Sequence, residues 1–532
     1  MEPAEDRLQG PSSERDQVRS LLWEACEIEQ QLMIQYLFAA FTLKKRPDDR
    51  CSPAQLEAVR RWGSQVFMVA RQEMEHLALA NGMLTAIAED PFFARDNIPV
   101  QPRYYLGKEL AARRNGPLAS KKKVVPCDLP FIFRRFDLDT IGRFVCAESP
   151  GYETLEAAGI PIPSWCFGTK DHPCQSTSLA DWHQGVEGKG GKPRLAASKV
   201  AGMPLARTHL PAAPPLLSRP ANGSAATDLT RPVHPGTIQE VYDEIKNLLR
   251  ANPGFFVGNP AQQVFVPVEY QINIFPITDF NSADLAIKLI VEEGEGIDAP
   301  PGFQSHYDRF LRVREELLRM RAEDRDFDPA LPVMDNPSRD AIHEELTGKV
   351  FDTFNFAYAT MLFVLTSLYR NFSSQESSYP FFGTALQNVA FGPFMTMILR
   401  PIADVLVHLK VEKRGKKTAG PDFYLSAEDE RLIWPRRAAS FQEAGEIDPG
   451  EQVTLSRQLD NIDFFLDRFS ELIARLEEIS TDRRIVNLAR AEDDVPWARR
   501  QLAFVTENAK AMANNMRRIY QVGEIPQFVV QP

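Results

Sequence analysis

A glutamate and a histidine stand three apart in "ARQEMEHLALANGML", residues 70–84: Glu73 and His76. Positions three and four apart share a helix face. Val66, Ala70, Glu73, Leu77, Ala80 and Leu84 therefore form one apolar stripe, with Glu73 inside it and His76 at its edge. A carboxylate buried in such a stripe is costly unless it is paired or bound to a metal. The preceding segment, "VRSLLWEACEIEQQLMIQYLFAAFTLKK" (18–45), repeats the pattern: Leu22, Ala25, Glu29, Leu32 and Tyr36 share a face. Tyr36 lies two turns from Glu29, where it is a candidate hydrogen-bond donor or radical relay. Its bland reading is a packed core tyrosine. A lone Glu-x-x-His is commonly a solvated helix pair, and it is the inward Glu29 on the neighbouring helix that favours a metal. Glu27 and Glu75 face elsewhere and read as surface charges.

One helix offering Glu and the next Glu-x-x-His is half of the carboxylate-bridged two-metal site of four-helix bundles. Mixed carboxylate and imidazole ligands suit iron, two ions in this arrangement, with manganese the alternative. The other half is irregular, since the chain holds no second Glu-x-x-His. Its acidic candidates are Glu148, Glu240, Glu244, Glu292, Glu293 and Glu295. Helical phase puts Glu293 at the centre of the Leu285, Ala286, Leu289, Ile290 face, and puts Glu244 nearer than Glu240 to the Val241/Leu248 side. His306 is the nearest later histidine. The intervening "GIDAPPGFQS" holds two prolines and two glycines, enough to reverse the chain and return His306 to the helix end. The competing reading is that "SHYDRF" only opens its own helix with Ser305 as cap.

The elements that must position these residues are helices. The chain reads as a polar tail (1–19), a first bundle portion (20–150), a Pro/Gly-rich insertion (151–235), a second bundle portion (236–330), a helical extension (331–425) and a C-terminal helical region (426–532). The second helix opens at Ser52 or Pro53 and runs to about Ala88, and a shorter one over 137–148 has Asp137 as cap. Thr237 is the cap candidate for "TIQEVYDEIKNLLR", residues 262–280 read as a short hairpin or ribbon, and "SADLAIKLIVEE" opens at Ser282. A last amphipathic helix spans roughly 459–479. Cys166, His172, Cys174 and His183 in the insertion are donors that suit zinc, at spacings of no standard zinc module. A disulfide or a plain loop anchored by Trp165 and Trp182 is the bland reading. The histidines at 343 and 408 read as structural.

A formal net charge of −11 over 532 residues argues against nucleic acid and against an anionic membrane surface. The N-terminus has no apolar run of the secretory kind, and six scattered cysteines suit a reducing cytoplasm. "NVAFGPFMTMILRPIADVLVHL" (388–409) carries Arg400 and two prolines and reads as a core helix, so no membrane partner is expected.

The combination of "EIEQQLMIQYLFAAFTLK", "QEMEHLALANGMLTAI", "FVCAESP", "TIQEVYDEIKNLL", "FNSADLAIKLIVEEGEG", "SHYDRF" and "AGPDFYL" resembles the ferritin-like domain of the iminophenyl-pyruvate dimer synthase (VioB-like) family, over about residues 20–425. The resemblance implies a mainly α fold: a ferritin-like four-helix bundle, here with a long irregular insertion and additional C-terminal helices. It implies an iron site and oxidative chemistry in specialised metabolism, and Glu29, Glu73, His76, Glu148, Glu240, Glu295 and His306 as the retained polar positions. Family pattern thus favours Glu240 over Glu244, and Glu295 with Glu293 as close competitor. The segment after Pro150 and the shorter chain depart from that pattern. The expected activity is oxidation by dioxygen or peroxide of a small molecule, an amino-acid-derived or aromatic metabolite, by a chain that is a monomer or an oligomer. Iron or peroxide handling, and a non-catalytic bundle used for interaction, are the rival readings.

Overall fold

A computed structural model describes residues 12–46, 51–100, 124–126, 131–149, 167–169, 238–266, 272–296, 302–372, 381–433, 458–486 and 497–522. Helix α1 (Ser12–Thr42) and helix α2 (Pro53–Ala86) pack along each other in opposite directions, with Cys26 beside Asn81 and Phe41 beside Phe67. α2 starts where Ser52 and Gln55 form a reciprocal capping box with Pro53 in the first turn. From Ala25 to Leu43 every residue of α1 and its end is buried, as expected for a helix surrounded by partners rather than lying on a surface.

The third and fourth helices of this bundle are each interrupted. The third consists of α3 (Leu138–Ala147), capped by Asp137, and α4 (Ile238–Ala251). The fourth consists of α5 (Phe280–Gly294) and α6 (His306–Glu323). α3 packs on α6 and α4 on α5, so the two broken helices run in opposite directions side by side. Their register against the unbroken pair is continuous across the breaks. Along α2, Trp62 Nε1 donates to Glu316 at 2.7 Å, Glu73 meets His306, His76 meets Glu293, and Gly82 touches Ile277. Along α1, the Phe136 amide donates to Thr42 Oγ1 at 2.9 Å, Tyr36 stacks edge-on against Phe144, and Tyr242 reaches Glu29. α5 begins at Phe280, with Asp279 as cap and Ser282 as its reciprocal partner, so Ser282 is the third helical position and the helix starts two residues before the opening expected from sequence. Thr237 lies outside the described residues.

The described residues of 262–280 form no strand pair; one backbone bond, from Val266 N–H to Ile274 O at 3.0 Å, joins their arms. A single antiparallel pair is described in the molecule, β1 (Val124–Pro126) with β2 (Phe167–Thr169), in the register Val125 opposite Gly168. Apart from 167–169, the insertion, with Cys166, His172, Cys174 and His183, lies outside the described residues.

A second helical layer follows. α7 (Glu345–Asn371) packs against α8 (Phe382–Ala390), α9 (Arg400–Leu406) and α11 (Ile462–Thr481), with the short α10 (Ala427–Ile433) alongside. The last helix delimited from sequence ends near residue 479, and within the expected C-terminal helical region α12 (Trp497–Val522) follows and packs on α11, α8 and α9 through Leu502, Val505, Ala509, Met512, Met516 and Ile519. Between α8 and α9 the helix contains a π turn, Met395–Leu399, just before Pro401. The span Phe382–Leu406 is long and apolar enough to cross a membrane by length and composition, yet 61% of its most apolar window is buried within the protein. His408 Nδ1 lies 2.8 Å from the Asp404 carbonyl, and His343 is exposed.

The "AGPDFYL" stretch joins the layers. A Cβ on Gly420 would lie 2.6 Å from Phe38 of α1, so only glycine permits this approach. Phe423 has φ +52° and stacks edge-on with Phe354 and Tyr358 of α7. Its carbonyl accepts from the fully buried Arg95. Burial pushes the Asp422 carboxyl up to about 7, against the opposing pull of Asn355, the Tyr424 amide and Arg95. A carboxyl raised above its unfolded value adds stability that is fully present below about pH 4 and lost as pH rises through about 7. Asp422→Asn is therefore expected to gain roughly 1–3 kcal/mol relative to the parent between pH 4 and pH 8. Urea denaturation at several pH values reads this; a pH-independent difference would disprove it.

Candidate metal centre

Four carboxylates and two imidazoles converge in the first bundle, one level deep in its core. Glu29 comes from the middle of α1 and Glu73 and His76 from α2. Glu148 is the residue that ends α3, Glu293 lies at the end of α5, and His306 is the first residue of α6. All six side chains are buried. His76 Nδ1 lies 3.6 Å from Glu29 Oε2 and 3.5 Å from Glu73 Oε2, and its Nε2 lies 3.2 Å from Glu293 Oε2. His306 Nδ1 lies 2.9 Å from Glu73 Oε1 and 3.6 Å from Glu148 Oε2. The two imidazole rings stack with centroids 5.4 Å apart. Ligand atoms fall within 4.8 Å of one another in three sets: Glu29, Glu73 and His76; Glu73, Glu148 and His306; His76, Glu293 and His306. Glu73 thus turns one oxygen to each histidine.

These positions arise directly from the two breaks. Three steps along α2, from Glu73 to His76, face the whole stretch from His306 back to Glu293 on the partner helix. The chain leaves α5 through Gly296, whose φ is +77° and where a Cβ would sit 2.7 Å from Ser305. It re-enters at Ser305, whose side chain caps α6 by accepting from the Asp308 amide at 3.2 Å. Capping by Ser305 and inward placement of His306 hold together, although sequence reading sets them as rivals.

Glu295 and Glu240 stand apart from the three sets. Glu295 Oε1 accepts from the Gln239 amide at 2.9 Å, while its Oε2 is buried with no hydrogen-bond partner among the described residues and the side chain lines the same cavity as Glu29, Glu73, His76 and Glu148. Glu240 is half-buried on α4 and belongs to none of the sets, and Glu244 accepts from Gln17 at 2.8 Å. Glu293, the choice of helical phase, is the acid that meets His76. Glu27 and Glu75, read as surface charges, are buried instead: Glu27 accepts from the Asp96 amide at 3.0 Å and Glu75 from the Asn273 amide at 3.2 Å. Each holds a neighbouring loop, a use that helical phase does not reveal.

Two tyrosines brace the outer carboxylates. Tyr36, on α1, donates its hydroxyl to Glu148 Oε1. Tyr242, on α4, donates to Glu29 Oε1 at 2.6 Å. In each case the other oxygen, Oε2, is the one nearest a histidine. Tyr242 was missed by a reading that sought carboxylates and histidines. Its signal was a place on the buried Val241/Ile245/Leu249 face of α4.

Electrostatics show the charge that the cluster concentrates. Burial, then the charge of Glu73, push the Glu29 carboxyl up to about 7. Burial alone would lower both histidines, but the carboxylates reverse it: His306 is pushed up to about 9 by Glu73 and Glu148, and His76 well above its ordinary value by Glu29, Glu293 and Glu73. Protons on the imidazoles thus offset part of the carboxylate charge. Two divalent cations would balance four carboxylates with both imidazoles neutral. The donor set suits such ions. Glu73 Oε1 and both ring nitrogens of His306 are buried and have no hydrogen-bond partner among the described residues, so the short Glu73–His306 approach is not an aligned hydrogen bond. Lone pairs aimed at shared space instead of at each other are what metal ligands require.

A cavity of about 10 Å³ adjoins Glu29, Glu73, His76 and Glu148 and is closed by Ile238, Gln239, Ile290, Val291, Gly294 and Glu295. That is space for roughly one water-sized molecule.

A ferritin-like family model matches residues 22–315. The dichlorochromopyrrolate synthase of Lentzea aerocolonigenes is 25% identical over 520 residues, covering 88% of this chain and 42% of the relative. The 2-imino-3-(indol-3-yl)propanoate dimerase of Chromobacterium violaceum is 25% identical over 509 residues, covering 88% of this chain and 41% of the relative. The chain therefore spans about two-fifths of the length of these curated relatives. No solved structure matches. The matched span contains α2 to α5, most of α1, the first half of α6 and all six converging side chains, and the chain belongs to the ferritin-like family.

Proposed function

We propose that this chain is a two-metal oxidoreductase, with iron as the metal, that uses dioxygen or peroxide to oxidise an amino-acid-derived aromatic metabolite. The observation that carries this reading is the Glu73 carboxylate set between two histidine-containing ligand groups, in a core where four carboxylates need cations. Glu29, Glu73 and His76 would hold one ion, and Glu73, Glu148 and His306 the other, with Glu293 facing the second ring nitrogen of His76. Iron bound there supplies one-electron redox steps at an oxidant. The protein keeps the ligand oxygens in place through Tyr36 and Tyr242 and excludes bulk water with Ile238, Ile290 and Val291.

The name of one relative, a 2-imino-3-(indol-3-yl)propanoate dimerase, supports a coupling reaction on imino acids as the finer reading. Joining two such molecules by a new carbon–carbon bond, with loss of two carbon–hydrogen bonds, releases two electrons and two protons. Dioxygen that accepts them becomes hydrogen peroxide; peroxide that accepts them becomes water. The cavity has no space for an aromatic ring, so the organic substrate belongs outside this cavity.

Anaerobic titration with Fe(II) is expected to saturate at about two ions per chain, as for other carboxylate-bridged bundles. Admission of dioxygen should then raise near-ultraviolet absorbance. Saturation at zero ions sinks the metal reading. Rapid peroxide consumption with no organic substrate would favour iron or peroxide handling over substrate oxidation.

A further inference from the structure

We propose that Glu295 and Tyr242 are positioning residues that act in series on Glu29. Glu295 fixes the first turn of α4 against the end of α5, and α4 then presents the Tyr242 hydroxyl to the Glu29 carboxylate. The inference rests on Glu29 being a metal ligand, as proposed above.

The geometry runs through three contacts. Gln239 is the second residue of α4, so its amide is one of the helix-start donors that lack an intrahelical acceptor. Glu295 Oε1, from the turn that ends α5, accepts it at 2.9 Å. One turn further along α4, Tyr242 is fully buried and donates to Glu29 Oε1 at 2.6 Å. That contact engages the oxygen of Glu29 away from His76 and leaves Oε2 as the one facing Nδ1. α4 follows a long intervening stretch after α3, so its axial position is not inherited from the preceding helix. It must be set locally, and Glu295 is the side chain placed to do so. This gives Glu295 Oε1 a role that needs no coordination to metal, in an acid that stands outside the ligand sets although it lines the cavity.

The test uses the full chain and ferrous iron under anaerobic conditions, with hydrogen exchange of the metal-free protein as a second readout. Tyr242→Phe, which keeps the ring, should weaken one of the two iron-binding steps about 10-fold to 100-fold and leave the other step within a factor of about two. Glu295→Ala should weaken the same step and speed exchange of the first-turn α4 amides by about 10-fold. Glu295→Gln keeps an acceptor oxygen and should restore both readouts to near the parent values. Because the two residues act through one carboxylate, the double variant Tyr242→Phe/Glu295→Ala should lose little more than either single variant. Loss of an ion in Glu295→Gln would make Glu295 a ligand and overturn the inference. So would parent-like iron binding in Tyr242→Phe, or additive losses in the double variant. If the parent itself binds no iron, the reading of the metal centre fails. Parent-like α4 exchange in Glu295→Ala overturns the docking role, whether or not iron binds.

Discussion

Glu73→Ala is expected to lose both ions: iron content should fall from about two per chain to less than about half an ion. The reason is the position of one carboxylate between two histidines. Oε2 lies 3.5 Å from His76 and Oε1 lies 2.9 Å from His306, and each oxygen belongs to a different ligand set. Without it, two cations would face each other across the gap with no shared anion, and each would lose a ligand. Replacing any outer carboxylate removes a ligand from one ion only. The measurement is metal content after iron loading and gel filtration, with far-ultraviolet circular dichroism to show that the helices persist. Retention of two ions by a folded Glu73→Ala protein would remove the bridging role and the two-ion centre with it.

His306→Ala is expected to lose about one ion per chain and to keep the ion beside His76. His306 is held by α6, whose start is defined by Ser305, so its backbone position does not depend on the metal. Its ring nitrogens have no hydrogen-bond partner among the described residues, so the imidazole contributes no hydrogen bond to the fold that alanine would remove. The substitution leaves a void lined by Glu73 and Glu148, and added imidazole should restore part of the lost iron. Full retention of iron would place His306 outside the metal's ligands. Loss of helical signal together with iron would show a structural role instead.

Half of this centre was legible because α1 and α2 are unbroken. Helical phase put Glu29, Glu73 and His76 on inward faces, and the structure places those three side chains together. The same reasoning selected Glu293, while family pattern selected Glu295; the structure puts Glu293 against His76 and Glu295 against the start of α4. What phase could not supply was the register across a break. No periodicity links Glu148 to Tyr242, or Glu293 to His306, because the alignment is made by neighbours distant in sequence. Glu27 and Glu75 were misread for a related reason: a helix wheel shows the direction of a side chain but not the loop that covers it. α12 was legible in principle through Leu502, Val505, Ala509, Met512, Met516 and Ile519, but small and charged residues dilute that stripe.

The interrupted helices also bear on how such a centre tolerates change. With α1 and α2 acting as a ruler, each half-helix is registered on its own, and the chain between two halves has only to close a gap. The entropy of closing a gap grows with the logarithm of its length, so going from ten residues to nearly ninety adds only about 2 kcal/mol. Glu148 and Ile238, which flank the long stretch between α3 and α4, line the cavity, yet the length of that stretch has almost no leverage on the ligands. Segments of different size and sequence can therefore be exchanged at this joint, in nature or by engineering, and the six side chains of the centre keep their alignment.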